Sequence, residues 1–304
     1  MPSTASTLLP RVTPAFEPAT LPRRRFGKTE ERVPVLGLGT GPAGMGLSDE
    51  SAIALYDAAI DRGVTYLDTA PAYGRAQVQL GQVLSRRRDE VFVATKCYAA
   101  TAEEALRIHA QSLSDLQTDH VDLLYAHCVG SFDPEQLLGP DGAFAGLREA
   151  QRRGWTRYIG FTAQNFPAKS LALLRRVEVD AVMLAMNYAD RHTYGFEDRI
   201  LPRTHSLDLG IAAMKVYGGV REMDYQTPRP SALAERDHHM AFRYALGLPV
   251  VAVAVIGMYS VDELERNLAW ARSWEPLTGE EEARLVEEGR TVAAEWGPHF
   301  GAVE

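Results

Sequence analysis

Cysteine is almost missing from this chain, with only Cys97 and Cys128 among 304 residues. So low a count excludes a disulfide scaffold, and no Cys/His cluster has the spacing of a zinc site. The adjacent His238 and His239 do not supply one, because neighbouring residues on a helix point in different directions. Long hydrophobic runs are missing too. None reaches the ~18 residues that a membrane span needs. The N-terminus also lacks a charged start followed by an apolar signal core, so a cytoplasmic chain is expected. Positive charge is in deficit, with a net charge of -8 and a pI near 5.6. That balance argues against nucleic acid or an anionic membrane as the main partner, since both require clustered cations. The short runs Arg23 to Arg25 and Arg86 to Arg88 read as solvated ends of elements.

What is present is a repeating unit. Residues 1–22, rich in Pro, Thr, Ser and Ala without hydrophobic period, are expected to form a flexible arm. RFGKTEERVPVLGLGT, from Arg25, then places two strand-like runs around the turn residues Gly27, Lys28 and Thr29. This is a hairpin leading into the first buried strand. Further apolar strands follow at Val64 to Leu67, Val91 to Lys96, Val121 to His127, Tyr158 to Thr162, Ala181 to Asn187, Ile211 to Val216 and Val250 to Ile256. Helical segments separate them. Residues 49–62 carry Ile53, Tyr56 and Ile60 on one face, and Ala76 to Arg87 forms the next helix. Thr101 with Glu104, and Ser260 with Glu263, have the spacing of capping boxes. Phe144, Leu147 and Ala150 line a helix that Gly154 ends, and a trailing helix covers 278–294. Eight strands alternating with helices over about 250 residues imply a (β/α)8 TIM barrel, expected as one domain over 23–304. Strands as apolar as VFVAT and VAVAVI suit a parallel sheet covered on both faces.

Gly39, Gly41 and Gly44 match the G-x-G-x-x-G pattern of a dinucleotide turn. In that motif the glycines open directly into a helix. Here Pro42 interrupts and helical periodicity begins only after Ser48, so a flexible loop at the barrel mouth is expected instead.

Chemistry in such a barrel sits at the C-terminal ends of the strands. Asp68 ends the second strand, with Tyr73 in the turn that follows. Lys96 ends the third and His127 the fourth. Each alone has an ordinary role: a cap, core packing, a snorkelling lysine, a satisfied core histidine. On three neighbouring strands they match proton delivery to a carbonyl oxygen during hydride transfer. A phenol near pKa ~10 is a poor acid-base group at neutral pH. An ammonium beside it favours the phenolate, and a carboxylate keeps that ammonium charged in a partly dry site. Histidine can then orient the substrate oxygen.

The chain resembles the aldo-keto reductases from about Arg25 to Arg272, through LGLGT, GVTYLDTAPAYG, VATK, VDLLYAH, YIGFT and VIGMYSVDELERN. The family's Asp, Tyr, Lys and His tetrad falls on Asp68, Tyr73, Lys96 and His127. The resemblance implies a (β/α)8 barrel that reduces aldehydes or ketones, or oxidises the corresponding alcohol or sugar, with a nicotinamide cofactor. NADP(H) is expected, with NAD(H) close behind. Cofactor positions carried over are Gly39, Thr40, Thr162, Gln164, Met183, Met214, Lys215, Gly257, Met258, Ser260, Glu263, Arg266 and Asn267. Several depart from the family pattern. Thr162 and Ala163 replace Ser-Asn, with Gln164 or Asn165 as substitute partners for the carboxamide. Met183 replaces Gln, Met214 replaces the aromatic residue that stacks on the nicotinamide, and Glu263 stands at an arginine position. Met45, Tyr98, Val129, Phe132, Tyr188 and Tyr217 are expected to line the substrate pocket, an apolar and aromatic set suited to a sugar ring or an aryl aldehyde. Cys97 and Cys128 are expected to face the helices by strand alternation. Two other functions compete with the reductase reading: a nucleotide-sensing subunit without turnover, and a lyase or isomerase using the same tetrad without net redox change.

Overall fold

The computed structural model describes residues 20–220 and 231–304; the expected arm lies almost wholly outside them. A hairpin comes first, β1 (Arg23–Arg25) pairing antiparallel with β2 (Arg32–Pro34). The chain then alternates: β3 (Leu36–Gly39), α1 (Gly41–Gly46), α2 (Asp49–Asp61), β4 (Tyr66–Asp68), α3 (Ala76–Arg87), β5 (Phe92–Cys97), α4 (Ala102–Asp115) and β6 (Val121–Ala126). It continues through α5 (Pro134–Leu138), α6 (Ala143–Arg152), β7 (Thr156–Ala163), α7 (Pro167–Leu174) and β8 (Ala181–Ala185). Two short helices, α8 (Phe196–Arg199) and α9 (Leu201–Ser206), precede β9 (Gly210–Met214). After it come α10 (His238–Gly247), β10 (Val251–Gly257), α11 (Val261–Arg272) and α12 (Gly279–Trp296).

Strands β3 to β10 pair in parallel and close into an eight-stranded barrel, β10 meeting β3 with Gly257 opposite Gly39. The expected (β/α)8 architecture is therefore present. Two apolar layers hold it. Inside the barrel, Tyr66 stacks on Phe92 at 5.2 Å between ring centroids, and the Tyr66 and Tyr125 hydroxyls meet at 3.2 Å. Phe26, from the hairpin, closes the N-terminal end edge-on against both stacked rings at 5.9 Å. Gly210 makes room for it, since a Cβ there would lie 2.6 Å from the Phe26 ring. Outside, leucine, valine and alanine side chains fill the layer between strands and helices.

Helix ends follow the sequence with one shift. Thr101 accepts the Glu104 amide and Ser260 the Glu263 amide, as expected of N-caps. Among the described residues, the reciprocal bond of a full capping box forms only at Thr278 and Glu281, on α12. The segment after β3 differs from expectation. Gly41–Gly46 is a short helix rather than a loop, because Pro42 sits in its first turn, where a missing N–H costs nothing.

Candidate active site

Strand pairing converges the four candidate side chains on one end of the barrel. The Asp68 carbonyl accepts the Thr40 amide at 2.8 Å and the Thr40 hydroxyl at 3.0 Å, tying the end of β4 to β3. The His127 amide donates to Cys97 O at 2.8 Å, tying the end of β6 to β5. Between these ties Lys96 is fully buried. Its Nζ donates to both Asp68 carboxylate oxygens at 2.6 Å and to Thr69 O at 2.9 Å, so all three ammonium protons have acceptors. Burial pulls the Lys96 ammonium below its ordinary value and pushes the Asp68 carboxyl up, each opposed by the charge of the other. Tyr73 lies in the turn above, with Lys96 Nζ 5.0 Å from the centre of its ring. His127 stands edge-on to Tyr73, ring centres 6.4 Å apart. Desolvation, with repulsion from Lys96 and Lys215, lowers the His127 imidazole to about 3, which keeps it neutral at physiological pH.

A cleft of about 500 Å³ runs from Asp68 and Tyr73 past Met183, Met214 and Lys215 to Glu263, Arg266, Asn267 and Trp270. Its floor is the Gly39 and Gly257 pair, where a Cβ on Gly257 would meet Pro42 at 2.5 Å. Of the proposed cofactor positions, Gly39, Met183, Met214, Lys215, Gly257, Glu263, Arg266 and Asn267 line this cleft. The rest lie off it. Thr40 is buried as the strand tie, and Thr162 accepts the Cys128 amide at 2.8 Å. Met258 is fully buried in the outer core, Ser260 caps α11, and Gln164 lies outside the lining.

The substrate-side expectations divide. Tyr98, 52% exposed, packs against Phe132 at 4.7 Å and stands edge-on to His127 at 6.3 Å. Met45 lies beside Tyr73 over Gly41, within 3.7 Å of where a Gly41 Cβ would sit. Val129 and Tyr188, by contrast, are buried in the outer core. Tyr217 belongs to the other end of the cleft: its hydroxyl donates to Asn267, and its ring stacks on His238 at 4.0 Å. Cys97 faces the helices as expected, but Cys128 does not follow strand alternation, because β6 ends at Ala126. Cys128 instead takes a left-handed backbone, φ 53°, within the field of Lys96 and Lys215. The sequence reading also missed Glu235 and His238, which line the cleft from the segment before α10, and Trp270, one turn beyond Asn267 on α11. Helical spacing from Asn267 could have found Trp270; no local pattern marks Glu235 or His238. Among the described residues no group of His, Cys, Asp or Glu is arranged to hold a metal, and no helix is long and apolar enough to cross a membrane.

Similarity to known proteins extends along most of the chain. The model of the aldo/keto reductase family matches residues 35–238. L-galactose dehydrogenase of Arabidopsis thaliana is 25% identical over 295 residues, covering 85% of this chain and 91% of that protein. D-threo-aldose 1-dehydrogenase of a Pseudomonas species is 29% identical over 221 residues, covering 61% and 66%. A solved aldo/keto reductase from Klebsiella pneumoniae, in complex with NADP and acetate, shares the fold at a TM-score of 0.70. It is 23% identical, with 88% of this chain and 95% of that one covered.

Proposed function

This chain belongs to the aldo/keto reductase family of oxidoreductases, and within it we propose a nicotinamide-dependent enzyme that interconverts a small carbonyl compound and its alcohol, with Tyr73 as general acid and base. The observation that carries the reading is the buried Lys96, bonded to both oxygens of Asp68 directly beneath the Tyr73 ring. A fully buried ion pair contributes little net stability against apolar packing, so its place under a phenol is better explained by what it does to that phenol. The cleft suits a dinucleotide: two glycines, Gly39 and Gly257, let a ligand approach the backbone, Met183 and Met214 offer apolar surface, and Glu263, Arg266 and Asn267 offer polar groups. Gly39, Gly257, Met183, Met214, Asn267 and the α11 side chains would hold that group, which when bound supplies or accepts the hydride. NADP(H) is supported by the cofactor in the Klebsiella structure, and NAD(H) fits the same cleft.

The protein's own part in the reaction is the proton. Lys96, its charge supported by Asp68, stabilises the anionic form of the Tyr73 phenol. Neutral His127 hydrogen-bonds the substrate oxygen and orients it toward Tyr73. In reduction Tyr73 gives its proton to that oxygen, and in oxidation it takes the proton back. Tyr98, Phe132 and Met45 form the apolar wall against which the rest of the substrate packs. The named substrates of the two dehydrogenase relatives make sugars and related alcohols the first class to assay.

Tyr73→Phe removes the proton donor and keeps the ring. The expected result is a fall in kcat of about 10²- to 10⁴-fold, with the dissociation constant of the nicotinamide cofactor nearly unchanged. Turnover at the wild-type rate in this variant would remove the mechanism, and turnover of substrate without change in nicotinamide absorbance would point to lyase or isomerase chemistry.

A further inference from the structure

Among the described residues, the end of the cleft far from Tyr73 carries two acidic side chains and one basic one. Glu263 and Arg266 come from the first turns of α11, and Glu235 reaches in from the short turn before α10. Glu263 Oε2 accepts the Tyr259 amide at 2.7 Å, while the Glu263 amide is taken by Ser260 Oγ at 3.2 Å. Two backbone donors that would suit a phosphate are thus occupied by the chain's own oxygens. The guanidinium of Arg266 is ion-paired with Glu235 across the cleft. Among the described residues, two carboxylates therefore face one guanidinium that is already engaged.

A phosphate dianion entering here must sit beside the Glu263 carboxylate and draw Arg266 away from Glu235. A ribose hydroxyl meets no such obstacle, because it donates a hydrogen bond to a carboxylate, the contact by which acidic residues hold the 2′-hydroxyl in other dinucleotide sites. Resting on the dinucleotide reading above, we propose that Glu263 is the specificity-determining residue of the cofactor end, admitting NAD(H) and penalising the 2′-phosphate of NADP(H). Glu235 adds to the effect by holding Arg266.

Calorimetric titration with NADH and NADPH tests this apart from turnover. Wild type is expected to bind NADH more tightly than NADPH. Glu263→Gln, which keeps the shape and removes the charge, should tighten NADPH by about tenfold, or about 1.4 kcal/mol, and leave NADH within about threefold. Glu235→Gln, at a side chain 69% exposed and outside the core, should release Arg266 and also tighten NADPH selectively. Parallel changes for both nucleotides in the two variants, or tighter binding of NADPH by the wild type, would overturn the assignment to Glu263 while leaving the dinucleotide reading intact. Binding of neither nucleotide by the wild type would remove both.

Discussion

Lys96 and Asp68 are each the reason the other can carry charge in a place with almost no water. Lys96→Met leaves the Asp68 carboxylate buried without a partner, a loss of about 3–5 kcal/mol. The double variant with Asp68→Asn should recover most of that stability in denaturant melts and none of the activity. Equal stability of the single and double variants would count against an ionised pair. His127 makes a prediction with a pH sign. Its folded value of about 3 lies below the ordinary 6.5. Above pH 6.5 both folded and unfolded forms are neutral, and the residue adds no pH dependence. As pH falls from there toward 3, the unfolded imidazole takes a proton that the folded one refuses, so stability is lost. His127→Gln removes this component, and the variant should gain stability relative to wild type between pH 7 and pH 4; a constant difference across that range would contradict it. The four tetrad positions were legible because each ends a strand or follows one closely, so local pattern alone placed them at one mouth. Tyr217 was legible only as a residue after a strand. What places it at the far end of the cleft is Asn267, fifty positions later, which no local pattern connects to it.

The two ends of the strands divide the labour between chemistry and stability. Asp122, near the start of β6, accepts Arg88 at 2.9 Å, the Val93 amide at 2.8 Å and Arg157 at 2.8 Å. It binds neighbouring strands at the end opposite the tetrad, the end of such a barrel that serves stability rather than chemistry. Asp122→Ala should therefore lower unfolding free energy by about 3–5 kcal/mol with kcat unchanged at permissive temperature; a loss of kcat instead would deny the division. On α8, burial raises the Glu197 carboxyl to about 8 from an ordinary 4.5, and its Oε1 has no hydrogen-bond partner. Its neutral form supports the fold fully below pH 4.5, and that support is lost as pH rises through 8. Glu197→Gln should accordingly gain stability relative to wild type from pH 5 to pH 9 in thermal melts. The barrel strands were legible from short apolar runs, and the long helices from their period and caps. The short helices α1, α5, α8 and α9 span four to six residues, too few turns for a period to show.

At the scale of the molecule, the C-terminal segment returns to the mouth of the barrel. The Phe300 amide donates to the Tyr194 hydroxyl at 2.8 Å, and Asn165 donates to Phe300 O at 2.9 Å. His299 meets the buried Asp190 carboxylate at 2.8 Å, and the Phe300 ring lies 5.4 Å from Lys215 Nζ. Ending the chain after Trp296 should keep the barrel's circular dichroism and raise KM, because Lys215 loses the ring beneath it; an unchanged KM would show the segment to be dispensable. None of this was legible in the sequence, where the last residues show no period and contact a loop more than a hundred positions earlier.

The seam of the barrel lies between β3 and β10, its first and last strands in chain order, and Gly39 and Gly257 face each other across it. During synthesis that seam cannot form until the chain has left the ribosome past Gly257, so the cleft is among the last features to exist. A nucleotide bound on this floor, as proposed above, would bridge strands made first and last and fasten the ring at its joint. At a hundred times its dissociation constant it would add about 2.7 kcal/mol to the folded state, and peeling away either seam strand would require its release. Protection from proteases by bound nucleotide should therefore extend to the whole barrel rather than to the cleft alone.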